Sequence, residues 1–188
     1  MHKLHIILSI LILTSVLTGC VGNTEVQAPT SISVQTEPVT SEVVSQGPAT
    51  NCPVTALQVP AFVPPAPYDG LNSFKDHFWF GSSFLWTNIP INGTWNALPH
   101  NPEGYTQKVL WWRDGYLWDQ EPEPNLIVTG ERLDESAPPL NVSHANGAYA
   151  SDIGSAMMVG VDFPTLGCWK ITGKYQDAEL SFVIWVAP

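Results

Sequence analysis

Imidazole is the side chain best suited to carry a proton or hold a metal near neutral pH, and beyond its first five residues the chain has His77, His100 and His144. No H-x-H or H-x-x-x-H spacing joins them. A metal centre would therefore have to be assembled wholly by the fold, and scatter along the chain explains the three more simply. Ser143-His144 with Asp152 supplies the residue types of a nucleophile, a base and its orienting acid. No G-x-S-x-G elbow surrounds the serine, and a polar loop fits these residues as well. Glu121 with Glu123, and Asp134 with Glu135, are carboxylate pairs of the kind that flank a glycosidic bond, but both sit in proline-rich turns where solvated charge is the commoner occupant. There is no P-loop and no G-x-G-x-x-G. The sequence thus assigns no catalytic residue, no metal ligand and no cofactor.

The one surplus is aromatic. Tryptophan occurs 8 times, as Trp79, Trp86, Trp95, Trp111, Trp112, Trp118, Trp169 and Trp185, too many for a small domain to bury completely. Adjacent Trp111 and Trp112 point to opposite faces of any strand they share, so one is exposed unless a loop covers it. Exposed Trp or Tyr rows stack on sugar rings or accept an apolar partner, which makes Trp111, Trp112 and Trp118 the candidates for ligand stacking. Core packing with loop-covered tryptophans is the plainer reading of the same residues.

The elements that must position these side chains read as strands. Tryptophan, glycine and proline are plentiful while charged residues make up only 13% of the chain, a balance that favours strands and turns over helices. From Gly167 to Tyr175, Trp169, Ile171 and Tyr175 alternate with Lys170, Thr172 and Lys174, the period of a half-buried strand. A four-residue polar loop, residues 176–179, is expected to reverse the chain. The return strand puts Leu180, Phe182, Ile184 and Val186 on one face, with Ser181, Val183 and Trp185 on the other.

Further strands are expected at 78–80, 84–89, 109–113 and 126–132. In the last, Leu126, Val128 and Gly130 alternate with Ile127, Thr129 and Glu131. Asn92-Gly93 predicts a small hairpin and Asp114-Gly115 a turn. Pro60, Pro64, Pro65 and Pro67 keep the preceding segment extended along a sheet edge or over the surface, and residues 141–154 read as a polar region. Seven to nine short strands without a helical period predict an all-β fold, a single antiparallel β-sandwich, immunoglobulin-like in the loose sense.

The N-terminus reads as an address. Residues 6–17 form an apolar run of about a dozen after the weakly basic Lys3, too short for a spanning helix of roughly 20 residues but fitted to the h-region of an export signal. The next residues, Leu17-Thr18-Gly19-Cys20, resemble the lipobox of bacterial lipoproteins. That resemblance implies cleavage before Cys20, lipid on its sulfur and an acyl chain on its amine, and so stable attachment to a membrane. It also implies a place in the cell envelope: the outer leaflet of the plasma membrane, or a periplasm-facing or outer membrane in a Gram-negative cell. Residues 1–19 are then a signal peptide and 51–188 the β-sandwich domain. Between them, 20–50 hold the lipidated cysteine and a Ser/Thr/Pro tether with neither aromatic nor basic residues, expected to be disordered with a reach of roughly 30 Å.

Without Lys3 the chain carries 6 basic and 17 acidic residues, a net −11, which argues against nucleic acid as a partner. Asn51-Cys52-Pro53-Val54-Thr55, Trp111-Trp112-Arg113, Gly130-Glu131-Arg132-Leu133-Asp134 with Ala137-Pro138-Pro139-Leu140, and Phe163-Pro164-Thr165-Leu166-Gly167-Cys168-Trp169-Lys170-Ile171-Thr172-Gly173 resemble motifs of a group of secreted or lipid-anchored bacterial proteins with no assigned activity. The resemblance implies domain limits and a bacterial origin and nothing chemical. Two cysteines remain beyond the lipobox, Cys52 and Cys168, and an even pair in an exported protein is most simply a disulfide; two free thiols or a redox pair are the alternatives. The expectation for function is a monomeric, lipid-anchored, non-enzymatic interaction or envelope-associated module whose protein or glycan partner is open. The alternatives are a small-ligand or glycan binder using exposed tryptophans and, behind it, a hydrolase or metal-binding protein.

Overall fold

The computed structural model describes residues 51–71 and 74–188. They lie within one compact unit, Val43–Pro188. The expected signal peptide, Cys20 and the tether fall outside the described residues. Among those residues are eleven strands and no helix. In chain order they are β1 (His77–Ser82), β2 (Leu85–Pro90), β3 (Thr94–Trp95), β4 (His100–Asn101), β5 (Gly104–Trp112), β6 (Ile127–Arg132), β7 (Asn141–Val142), β8 (Asn146–Ala150), β9 (Gly154–Phe163), β10 (Gly167–Tyr175) and β11 (Ala178–Val186).

Two sheets pack as a sandwich. The larger runs β1-β2-β5-β9-β7, with β4 added on β5 and β8 on β9; the smaller runs β3-β11-β10-β6. The space between them is filled from the alternating inner faces, by Trp111 of β5, Met157, Val159, Val161 and Phe163 of β9, Trp169 and Ile171 of β10, and Phe182, Ile184 and Val186 of β11. Trp111 lies so close over β10 that a Cβ on Gly173 would sit 2.6 Å from its ring, so a larger residue there would push the sheets apart.

Three local expectations are corrected. The β10–β11 hairpin pairs Tyr175 with Ala178, so its loop is the two residues Gln176 and Asp177 rather than four. Gln176 takes φ 53°, as primed two-residue turns require at their first position. Asn92-Gly93 does turn the chain, with Gly93 N–H donating to Pro90 O at 2.8 Å, but it makes no hairpin. It carries the chain from one sheet to the other, so β3 arrives beside β11 running in the same direction, the one parallel pairing among the strands of the described residues. The polar stretch 141–154 contains β7 and β8, both paired with β9. They form an interrupted edge with one solvated face, and this is why no apolar alternation marks them.

A second, smaller aromatic core lies on the outer face of the larger sheet. Trp86 and Trp112 are direct neighbours across β2 and β5, and Tyr68 and Ala156 complete the cluster with Phe62, Leu71 and Trp79 packed around it. The proline-rich segment 53–71 is the strap that makes this possible. It starts along the edge of β11 that β3 leaves open, where Thr55 N–H donates to Val183 O at 2.9 Å and Val183 N–H to Thr55 Oγ1 at 2.8 Å. It then crosses to lay Phe62 and Tyr68 against Trp86 at ring separations of 6.0 and 5.4 Å. Its start is fixed by a disulfide between Cys52 and Cys168, which closes a loop across a sequence separation of 116.

Candidate functional site

The histidines do not converge. His144 lines a cleft of about 540 Å³ between residues 123–128 and 142–146, whereas His77 lines another of about 570 Å³ between residues 75–77 and 90–98. The His77 ring is bonded to Lys75 O at 2.9 Å, and His100 stands edge-on to Tyr105 at 4.6 Å on the β4–β5 hairpin. Among the described residues no three His, Cys, Asp or Glu side chains gather as a metal site. The Ser143 hydroxyl donates to His144 O at 3.2 Å and accepts from Gly160 N–H at 2.9 Å. It replaces a missing ladder bond at the break between β7 and β8 and is not a nucleophile aimed at a base.

The acidic pairs are likewise put to different uses. Asp134 takes Arg132 Nε at 2.8 Å and Cys168 N–H at 3.1 Å, and Arg132 reaches on to Thr165 Oγ1 at 3.0 Å. The guanidinium beside it, helped by that backbone N–H, holds the Asp134 carboxyl below the usual carboxylate range. This cluster ties the end of β6 to the start of β10 beside the disulfide, and its groups are occupied by one another. Glu121 is at the other end of the molecule, where its carboxylate accepts from Tyr175 O–H and its backbone carbonyl from Tyr116 O–H at 2.8 Å.

That second end is built by the loop of residues 113–126 between β5 and β6, longer than most connections in a compact domain and hence a place to look for function. Tyr116 is its buried anchor, edge-on to Tyr175 at 6.2 Å, while the Tyr68 hydroxyl of the strap lies between the loop and the larger sheet, 3.4 Å from Tyr116 O and 3.1 Å from Ser155 O of β9. Burial, with the neighbouring Glu121, pushes the hydroxyls of both Tyr116 and Tyr175 up to about 12. Both therefore stay protonated as hydrogen-bond donors across the physiological range. Arg113 lies 5.7 Å over the Tyr175 ring and pairs with Asp177 at 2.9 Å. Arg113, Asp114, Gln120, Glu121, Tyr175 and Gln176 surround a cleft of about 270 Å³ there.

The three tryptophans proposed for stacking separate by burial. Trp111 and Trp112 do point to opposite faces of β5, but both are 0% exposed: the first fills the space between the sheets and the second lies under the strap. Neither has a free ring face, so both are corrected from binding candidates to core residues. Trp118 is 40% exposed and runs near-parallel, at 23°, to the 61% exposed Tyr149, with ring centres 6.1 Å apart. The pairing depends on Gly147, two residues before Tyr149 on the same face of β8, because a Cβ there would come within 2.9 Å of Trp118 O. Leu117 and, at the β1–β2 turn, Phe84 add exposed apolar surface at this end; Asp114 N–H joins the two turns through Ser83 O at 3.1 Å. Sequence reasoning missed Tyr149, since a lone tyrosine in a polar stretch gives no sign that β8 will set it beside Trp118. The chain matches no family model, no curated protein and no solved structure.

Proposed function

We propose that this protein is an exported, lipid-anchored binding module without catalytic activity, held to the cell envelope through Cys20 and binding through its aromatic end. One observation carries the reading. The chain enters the domain at the Cys52–Cys168 disulfide, near the start of β10, whereas the loop bearing Trp118 is bonded to Tyr175 at the far end of that strand. Seven residue steps of strand separate Cys168 from Tyr175, roughly 24 Å at about 3.4 Å per step. The aromatic end therefore lies well clear of the stapled end at which the described domain begins, and its surface is open to a partner.

Supporting the address, disulfides form and persist in oxidising compartments, and Leu17-Thr18-Gly19-Cys20 resembles a lipobox. Supporting a binding role, the exposed aromatic surface and the polar cleft share one end, while the candidate nucleophile Ser143 is engaged with the backbone. The net negative charge disfavours nucleic acid and anionic lipid as partners.

Two measurements test this. Metabolic labelling with an alkyne fatty acid should mark the wild-type chain and leave Cys20→Ala blank; label on Cys20→Ala would overturn the anchor. Hydrogen exchange of the full chain mixed with purified cell envelope should show new protection in residues 113–121 and 146–150. Protection confined to other segments would overturn the assignment of the binding surface.

A further inference from the structure

We infer that the aromatic end binds a neutral saccharide, with Trp118 and Tyr149 as the platform for a sugar ring and the neighbouring cleft as the site for its hydroxyls. The inference rests on the binding role proposed above and names its ligand class.

The geometry of the two rings selects among ligands that favour aromatic surfaces. A cation is best held by ring faces that converge on it from several sides. Trp118 and Tyr149 instead lie within 23° of parallel with centres 6.1 Å apart, an offset stack that leaves much of both rings open to solvent. A pyranose suits such a surface. One face of the sugar carries C–H groups whose weak positive charge meets the negative face of an aromatic ring, and burying them removes apolar area from water.

The cleft supplies the other half of sugar chemistry. It begins at Leu117, the residue before Trp118, and Asp114, Gln120 and Gln176 at its wall are exposed. Amide and carboxylate groups each take paired hydrogen bonds from adjacent hydroxyls, and the amides also donate. Tyr116 and Tyr175 have their hydroxyls committed to Glu121, so they hold the frame and leave the exposed groups to the ligand.

Charge narrows the sugar. Asp114, Glu121 and Asp177 outnumber the single cation Arg113, which is already paired to Asp177. An acidic sugar would meet repulsion without a free counter-charge, so neutral residues are preferred over uronates or sulfated sugars.

The test is calorimetric titration of the full chain, kept in a detergent without a sugar headgroup, with neutral hexaoses of glucose, mannose and N-acetylglucosamine. A galacturonate hexamer and hexaproline serve as comparators. At least one neutral hexaose should bind, Trp118→Ala and Tyr149→Ala should each weaken it by about tenfold or more, and the galacturonate hexamer should bind at least about tenfold more weakly. Unchanged near-ultraviolet circular dichroism shows that the variants still fold. Neutral-sugar binding indifferent to both substitutions, or galacturonate bound as tightly, would sink the inference. So would hexaproline binding in place of the sugars. If no neutral hexaose binds but envelope still protects residues 113–121, the ligand class is wrong and the binding surface stands; if both are absent, both fall.

Discussion

The two ends of β10 use similar residue types for opposite purposes. At the Cys168 end, Arg132, Asp134 and Thr165 satisfy one another and the backbone, and the disulfide lies beside them. At the Tyr175 end, Arg113, Asp177, Tyr116 and Glu121 are also paired, but around an open cleft, with Trp118 and Tyr149 left to solvent. Charged and aromatic residues therefore do not identify a site by type. What distinguishes the two ends is whether the groups exhaust one another's bonding capacity and bury their apolar faces. The first end can change stability when altered; the second can lose surface groups without losing the fold.

The largest expected effect lies at the stapled end. Replacing Cys52 and Cys168 by serine should lower unfolding free energy by as much as about 4 to 5 kcal/mol, the chain-entropy limit for a loop of this length, read as a shift in denaturation midpoint that reductant reproduces in the wild type. A midpoint insensitive to reductant would break the contrast. Next, Asp134→Ala should destabilise by about 2 to 3 kcal/mol, because it strands a largely buried guanidinium and the Cys168 N–H. Urea titration measures it. The depressed Asp134 pKa adds a sign: its contribution is present above about pH 4, the unfolded value, and is lost as pH falls through the lower folded value.

The aromatic end responds to base. Tyr116 and Tyr175 titrate near 10 when unfolded and about 12 when folded, so above pH 10 the unfolded chain gives up protons that the folded one keeps. Stability should be level below about pH 10 and fall by roughly 1 to 2 kcal/mol per tyrosine as pH rises toward about 12. Tyr175→Phe should flatten that slope in urea titrations at about pH 8 and about pH 11.5; an unaltered slope would show that the tyrosine is not the cause. The smallest effect sharpens the comparison most. Gln176→Gly relieves a left-handed residue and should raise the thermal midpoint by the equivalent of about 0.5 kcal/mol, while removing one of the cleft's exposed amides and weakening sugar binding.

Much of the frame was legible because period and punctuation are local. The alternation in residues 167–175 and 180–186, and that of Leu126 and Val128 against Ile127 and Thr129, led directly to β10, β11 and β6. Asn92-Gly93 makes the turn its residues predict but not the hairpin, since a turn dipeptide fixes the local bend and not which sheet receives the next strand. The candidate site was legible only in Trp118. Tyr149, Gln120 and Gln176 carried no local mark, and their proximity comes from β8, the long loop and the final hairpin meeting at one end.

By itself, then, the sequence determined an all-β domain and a close of two paired strands, because these follow from periodicity within a few residues. Only the tertiary structure decided which tryptophans are buried. Trp111 and Trp112 are adjacent in sequence, but one faces a second sheet and the other a strap that arrives from more than forty residues earlier. Burial of a ring depends on what packs over it, and neither covering surface is encoded beside the ring it covers.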